Sequence, residues 1–213
     1  MAQTDLRPVR ISRDPARRSV QLLAGLAFYG TSVALVTRAG LGLEPWSVLA
    51  EGVLKHTGLS FGTVTGLISV AVLLLWIPLR QRPGIGTIAN VVVISVMVDV
   101  VRAVLPDQHD LVWQIVLLAG GVALNGVATA TYVGARLGPG PRDGLMTGLA
   151  GRTGWSVRLV RTGIEVTVVA AGFLLGGTVG IGTVLYALAI GPLTQALLPW
   201  TTWREQQEPQ QGH

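Results

Sequence analysis

Six apolar stretches run through this chain, at about 19–38, 61–79, 85–105, 111–134, 157–175 and 180–200. Each is close to the length, roughly twenty residues, that crosses a hydrocarbon core about 30 Å thick. In such a core the backbone amides must be satisfied within the chain, which helices achieve and irregular segments do not. The stretches are therefore predicted as six transmembrane helices of an all-α membrane protein. Composition points the same way. Hydrophobic residues make up 50% and charged residues 13%, where soluble domains carry about 25% charged, and the mean hydropathy is +0.55. A single soluble domain is excluded. So are disulfides and thiolate chemistry, because the chain has no cysteine.

The basic residues report orientation. Of 16, 15 are arginines, and they cluster at the ends of the apolar stretches, a topology signal that leaves no nucleic-acid surface to propose. Placing the N-terminus in the cytoplasm puts Arg7, Arg10, Arg13, Arg17, Arg18, Arg80, Arg82, Arg136, Arg142, Arg152, Arg158, Arg161 and Arg204 inside. Only Arg38, Lys55 and Arg102 fall outside. Both termini are thus expected in the cytoplasm, as a basic tail over 1–18 and a polar tail over 201–213. The first apolar stretch lacks a small-residue cleavage site, so it is expected to remain as a span. Trp113, Trp200 and Trp203 stand at span ends, as interfacial aromatics do.

The chain also matches itself. An offset of 96 residues aligns Ala39–Ile88 with Ala135–Val184 without a gap, and 18 of the 50 pairs are identical, where chance gives about five. Leu41-Gly42 meets Leu137-Gly138, Pro45 meets Pro141, Gly58 meets Gly154, Ser60 meets Ser156, and Gly84-Ile-Gly-Thr87 recurs as Gly180-Ile-Gly-Thr183. The register reaches back into the first span of each copy, where Gly25, Ala27, Gly30 and Ala34 meet Gly121, Ala123, Gly126 and Ala130. Residues 19–105 and 106–200 are accordingly read as two copies of a three-span unit. An odd number of spans makes the second copy enter from the opposite side, giving an inverted repeat, an arrangement recurrent in transporters with a midplane site.

Between the first two spans of each copy lies a segment too long for a turn and too short to cross. Proline at a first helical position, glycine as a stop and serine as the next cap predict a half-helix of about twelve residues after Pro45 and again after Pro141. Each is either re-entrant or interfacial. A glycine-rich strand of five or six residues reaches about 17–20 Å at roughly 3.3 Å per residue, enough to take the half-helix start toward the midplane. Two such starts meeting there would offer N–H groups and positive dipole ends to an anion or a carbonyl oxygen. The same motif holds Glu44, Arg142 and Asp143, charges costing about 2.5–3.5 kcal/mol each at a bilayer centre and therefore candidates for function.

The candidate substrate-binding residues are Glu44, Trp46, Ser47, Arg142, Asp143, Asn125, Tyr29 and Glu165. Arg142 would anchor an anionic or zwitterionic group, Glu44 and Asp143 would be polar or ion-coupling partners, and Glu165 would carry a proton. Glu165 also stands four residues from Arg161, and Asp99 three from Arg102, spacings that make ion pairs on a helix. Asn90 and Asn125 suit polar contacts between helices. Their repeat partners are Tyr186 and Tyr29, so these pairs could line a cavity about the pseudo-axis. The small-residue stripes through Gly30 and Ala34, and through Gly126, Ala130 and Gly134, suit close packing across that axis.

Gly58-Leu-Ser-Phe-Gly62 imitates a nucleophile elbow, and Gly84-Ile-Gly-Thr-Ile-Ala89 a dinucleotide fingerprint. Neither follows a strand, and the copy of the first ends in Arg158 rather than glycine. No enzymatic activity, metal site or cofactor is expected.

The segment Leu137-Gly-Pro-Gly-Pro-Arg-Asp-Gly-Leu-Met146, with Arg152-Thr-Gly154, Arg158-Leu-Val-Arg161 and Gly176-Gly-Thr-Val-Gly-Ile-Gly-Thr183, resembles the YczE/YyaS/YitT group of bacterial membrane proteins. Leu41-Gly-Leu-Glu-Pro-Trp46 and Arg82-Pro-Gly-Ile-Gly-Thr87 are similar to its first-half pattern, and the likeness runs from Gly25 to Leu198. It implies a multi-pass protein of the bacterial cytoplasmic membrane and brings no substrate with it. The leading expectation is a small transporter or channel-like protein for a small polar solute, anionic or zwitterionic, in contact with the lipid bilayer. The alternatives are a regulatory or scaffold subunit that does not transport, its arginine-rich loop from Arg136 to Arg161 a docking or anionic-lipid surface, or the substrate-binding subunit of a larger transporter. A homodimer or a membrane-protein partner is compatible with each.

Overall fold

The computed structural model describes residue 9 and residues 12–203. Arg7, Arg10, Arg204 and most of the two polar tails lie outside the described residues. Eight helices follow in order: α1 (Pro15–Ala39), α2 (Pro45–Thr57), α3 (Phe61–Leu79), α4 (Ile85–Val104), α5 (Leu111–Gly134), α6 (Pro141–Thr153), α7 (Val157–Leu174) and α8 (Ile181–Thr201). The protein is all-α, and α1, α3, α4, α5 and α8 are long and apolar enough to cross a membrane. The expected count was six. The missing one, α7, is helical where expected but carries Arg158, Arg161 and Glu165 within 18 residues.

Both short helices form where the sequence grammar puts them. Pro45 and Pro141 occupy the first turns of α2 and α6, whose ends are closed by Gly58 (φ 65°) and Gly154 (φ 74°). Ser60 and Ser156 then accept hydrogen bonds from Thr63 N–H and Leu159 N–H to start α3 and α7. The starts of both short helices are buried and their last residues are exposed. Each therefore runs from the interior to the surface. Two segments without regular structure deliver the chain to these starts. Gly42 (φ 118°) and Gly138 (φ 124°) hold backbone conformations that other residues rarely adopt, and a Cβ on Gly42 would stand 2.7 Å from Gly180 N. These segments are fastened to the starts of α8 and α4: Gly182 N–H donates to Leu41 O at 2.9 Å, and Gly86 N–H donates to Leu137 O at 3.0 Å.

Packing forms a circuit. α8 lies on α5, α5 on α1, α1 on α4 and α4 on α3; α3 lies on α6 and α2, and both short helices lie on α7. The circuit is open at one place, because α7 and α8 do not pack along their lengths among the described residues. At the α1–α5 crossing a Cβ on Gly25 would meet Tyr132 N at 2.7 Å, and one on Gly121 would meet a Val36 methyl at 2.7 Å. Gly30 and Gly126, expected to face each other there, turn instead to α4 and α8, against Met97 and Leu193.

Asp99 also departs from expectation. It takes Gly62 N–H at 2.7 Å and the Ser60 hydroxyl at 2.5 Å, so it caps α3 rather than pairing with Arg102. Arg102 donates to Thr37 Oγ1 at 2.7 Å and lies over the Phe61 ring. At that same end of the molecule Lys55 Nζ donates to Gly176 O and Thr178 N–H to Glu51 Oε2, and Arg38 pairs with Asp107 at 2.7 Å.

Candidate functional site

A cavity of about 700 Å³ lies between α5, α6, α7 and α8. It runs from Gln81, Arg82 and Gln195, at the arginine-rich end of the molecule, to Glu44 and Trp46 in the interior. The starts of α2 and α6 meet at its inner end.

Glu44 precedes Pro45 and is 2% exposed. Arg142 follows Pro141, and its guanidinium donates to Glu44 Oε1 at 3.1 Å. Ser47 Oγ donates to the same carboxylate oxygen at 3.0 Å. The Arg142 guanidinium also rests over the Trp46 ring, 5.0 Å from its centroid, a cation–π arrangement that favours a planar arginine. A buried charge survives only when paired and hydrogen-bonded, and these contacts supply both conditions for Glu44. Asp143, one residue on, takes the Tyr132 hydroxyl at 2.6 Å. That bond ties the start of α6 to α5 and leaves Asp143 in the cavity wall. The two short helices thus contribute a cation and two carboxylates to one spot, next to the positive ends of both helix dipoles.

Of the eight residues singled out by sequence, six line the cavity: Tyr29, Glu44, Trp46, Arg142, Asp143 and Glu165. The other two stand behind the wall. Ser47 holds Glu44, and Asn125, which is 1% exposed, accepts from the Tyr186 hydroxyl at 2.9 Å and donates to Ser32 Oγ at 2.7 Å. Asn125 therefore orients Tyr186, a cavity residue. Glu165 lines the cavity and also forms the pair expected from spacing, accepting from Arg161 Nε at 2.8 Å. Tyr132, Thr129, Thr194 and Arg161 line the cavity as well. Sequence reasoning missed Tyr132 because its repeat partner is Val36, so duplication gave no hint of its hydroxyl. Arg161 was visible only as a helical neighbour of Glu165. Two polar atoms at the cavity are buried without a hydrogen-bond partner, Trp46 Nε1 and Thr194 Oγ1. Among the described residues no cluster of histidine and carboxylate side chains could hold a metal ion.

A multi-pass helical membrane protein with an internal polar cavity is the class these features define. The chain belongs to DUF6198, a family of unknown function, whose pattern it matches over residues 16–199. It is 41% identical over 177 residues to an uncharacterized protein of Haemophilus influenzae, covering 83% of this chain and 81% of that one. It is 35% identical over 174 residues to the uncharacterized membrane protein YczE of Bacillus subtilis, covering 80% of each. To the uncharacterized protein YyaS of Bacillus subtilis it is 24% identical over 179 residues, 82% of this chain and 89% of that one. No solved structure matches the chain.

Proposed function

We propose that this protein is a small transporter or channel-like protein that takes a small polar solute, anionic or zwitterionic, into the cavity where α2 and α6 meet. On this reading α7 is the sixth span and the two halves are an inverted repeat in the bacterial cytoplasmic membrane. Both termini are cytoplasmic, and α2 and α6 are re-entrant from opposite faces. Paired contacts one repeat apart support it: the bonds Gly86–Leu137 and Gly182–Leu41 are each other's counterparts, as are the packing pairs α2–α7 and α6–α3. A charged helix such as α7 is tolerated in a bilayer when its polar side lines a water-filled space, which the cavity provides for Arg161 and Glu165.

The observation that carries the reading is the Arg142–Glu44 pair at 3.1 Å in the cavity wall. Charges at that depth are retained where they serve a ligand or an ion path, and a purely structural link between two helix starts would be cheaper in uncharged side chains. A scaffold or regulatory subunit has no need of such a cavity. A thermal-shift screen of small anions and zwitterions on the purified protein tests the proposal. Ligands that stabilise the native protein are expected to lose their effect in Arg142→Ala. Because that variant strands Glu44, the double variant Glu44→Gln/Arg142→Gln is the second arm. Stabilisation unchanged in a folded double variant would overturn the assignment.

A further inference from the structure

The cavity has a missing wall. α7 is held by α2 and α6, α8 is held by α5, and nothing described packs between α7 and α8 along their lengths, although both line the cavity through Arg161, Glu165, Ile190 and Gly191. The equivalent pair in the first half, α3 and α4, is shut. Both helices carry exposed apolar side chains, Leu159 and Val166 on α7 and Leu185 and Leu188 on α8. The mouth of the cavity is basic. Arg82 lines it and is exposed, as are Arg80, Arg152 and Arg158 at the same end of the molecule, and neither Arg82 nor Arg158 forms an ion pair among the described residues. The carboxylates in the cavity do not neutralise them, because Glu44 is taken by Arg142, Glu165 by Arg161, and Asp143 holds the Tyr132 hydroxyl.

We propose that the ligand of this cavity is an anionic amphiphile, which enters sideways from the leaflet at the arginine-rich end through the gap between α7 and α8. This rests on reading the cavity as a ligand site and names the kind of ligand. The anionic head would lie between Arg82 and the inner Arg142, and the hydrocarbon chain would run out past Gly191, between the two helices. A polar cavity open toward hydrocarbon is costly to leave unlined, and an amphiphile satisfies both sides at once. Anionic lipids concentrate near such arginine clusters.

Gly191 makes the test clean, since it lines the cavity and a Cβ there would meet nothing within 4 Å. Gly163, on α7 and outside the cavity lining, is equally unobstructed. Thermal stability of the full chain in detergent is followed while titrating dioleoyl phosphatidylglycerol, dioleoyl phosphatidylcholine or glycerol 3-phosphate. Phosphatidylglycerol is expected to stabilise, and the other two are not. Gly191→Trp is expected to raise the half-saturating lipid concentration by about tenfold or more, and Gly163→Trp to leave it unchanged. Equal stabilisation by phosphatidylcholine, or a phosphatidylglycerol effect intact in Gly191→Trp, would overturn the proposal. So would dissociation of a dimer by Gly191→Trp, which would make a second copy the occupant of the gap. Stabilisation by glycerol 3-phosphate alone, lost in Glu44→Gln/Arg142→Gln, would overturn the amphiphile and leave the solute reading standing. No stabilisation by any of the three would overturn it as well.

Discussion

The helix pairs α3–α4 and α7–α8 occupy equivalent places in the two copies and are built to opposite ends. On α3 the contact residues are Gly62 and Gly66, so small that a Cβ on the first would lie 2.0 Å from Ser95 O and one on the second 2.9 Å from Ser95 Oγ. Asp99 then locks the pair from α4 by accepting Gly62 N–H. One repeat later the same positions read Arg158, Thr162, Gly191 and Gln195. On α7 an arginine and a threonine stand where α3 has glycines, and α7 and α8 do not pack along their lengths among the described residues. The short helices show the reverse bias. Gly172 on α7 lets α2 come so near that a Cβ there would be 2.5 Å from Leu49 N, whereas its counterpart Trp76 on α3 fills the space against Gly144 of α6. Residues that differ between the two matching stretches coincide with the pair that packs closely and the pair that does not.

The largest effect is expected from forcing the closed pair apart. Gly62→Leu should cost about 3 kcal/mol or more, the upper range for overpacking against rigid backbone, and thermal unfolding in detergent would read it as loss of folded protein. Thr162→Leu, at the exposed α7 position that matches Gly66, should stay within about 0.5 kcal/mol; equal damage from both would erase the comparison. Trp76→Ala comes next. The side chain is 2% exposed and its Nε1 donates to Pro141 O at 3.0 Å, so about 3–5 kcal/mol is at stake.

The two ion pairs sharpen the contrast at lower cost. Glu44 and Arg142 have side chains 3% and 18% exposed, and Glu44→Gln should destabilise by about 3 kcal/mol because it strands a buried guanidinium. Arg161 and Glu165, 40% and 21% exposed, should show a coupling of only about 0.3–0.5 kcal/mol in a double-mutant cycle. A larger coupling at Arg161–Glu165 than at Arg142–Glu44 would contradict the assignment of the inner pair as the buried one.

How much of this could be read from residues alone follows from the range of each interaction. Caps and stops are local, so Pro45, Gly58, Ser60 and their copies located both short helices to within a residue. Periodicity and apolar length located the spans, and only α7 fell short, because it carries Arg158, Arg161 and Glu165 within 18 residues. Side-chain partners at long range were less legible. Asp99 has Arg102 one turn away and chooses Ser60 and Gly62 on another helix. Arg142 and Glu44 were both candidates, yet their bond spans 98 residues and depends on two helix starts meeting. Tyr132 reaches Asp143 from a different helix, and the gap between α7 and α8 is a property of packing that no motif records.

If the two copies face opposite ways, α2 and α6 emerge at opposite faces of the membrane. Leu59 and Trp155, one repeat apart, follow the ends of these helices and are 43% and 61% exposed. In this cysteine-free chain, Leu59→Cys and Trp155→Cys can each be labelled in intact cells with a membrane-impermeant thiol reagent. Leu59→Cys is expected to label from outside, and Trp155→Cys only after the cells are permeabilised. Labelling of both from the same side would contradict the inverted arrangement and, with it, the account of the cavity.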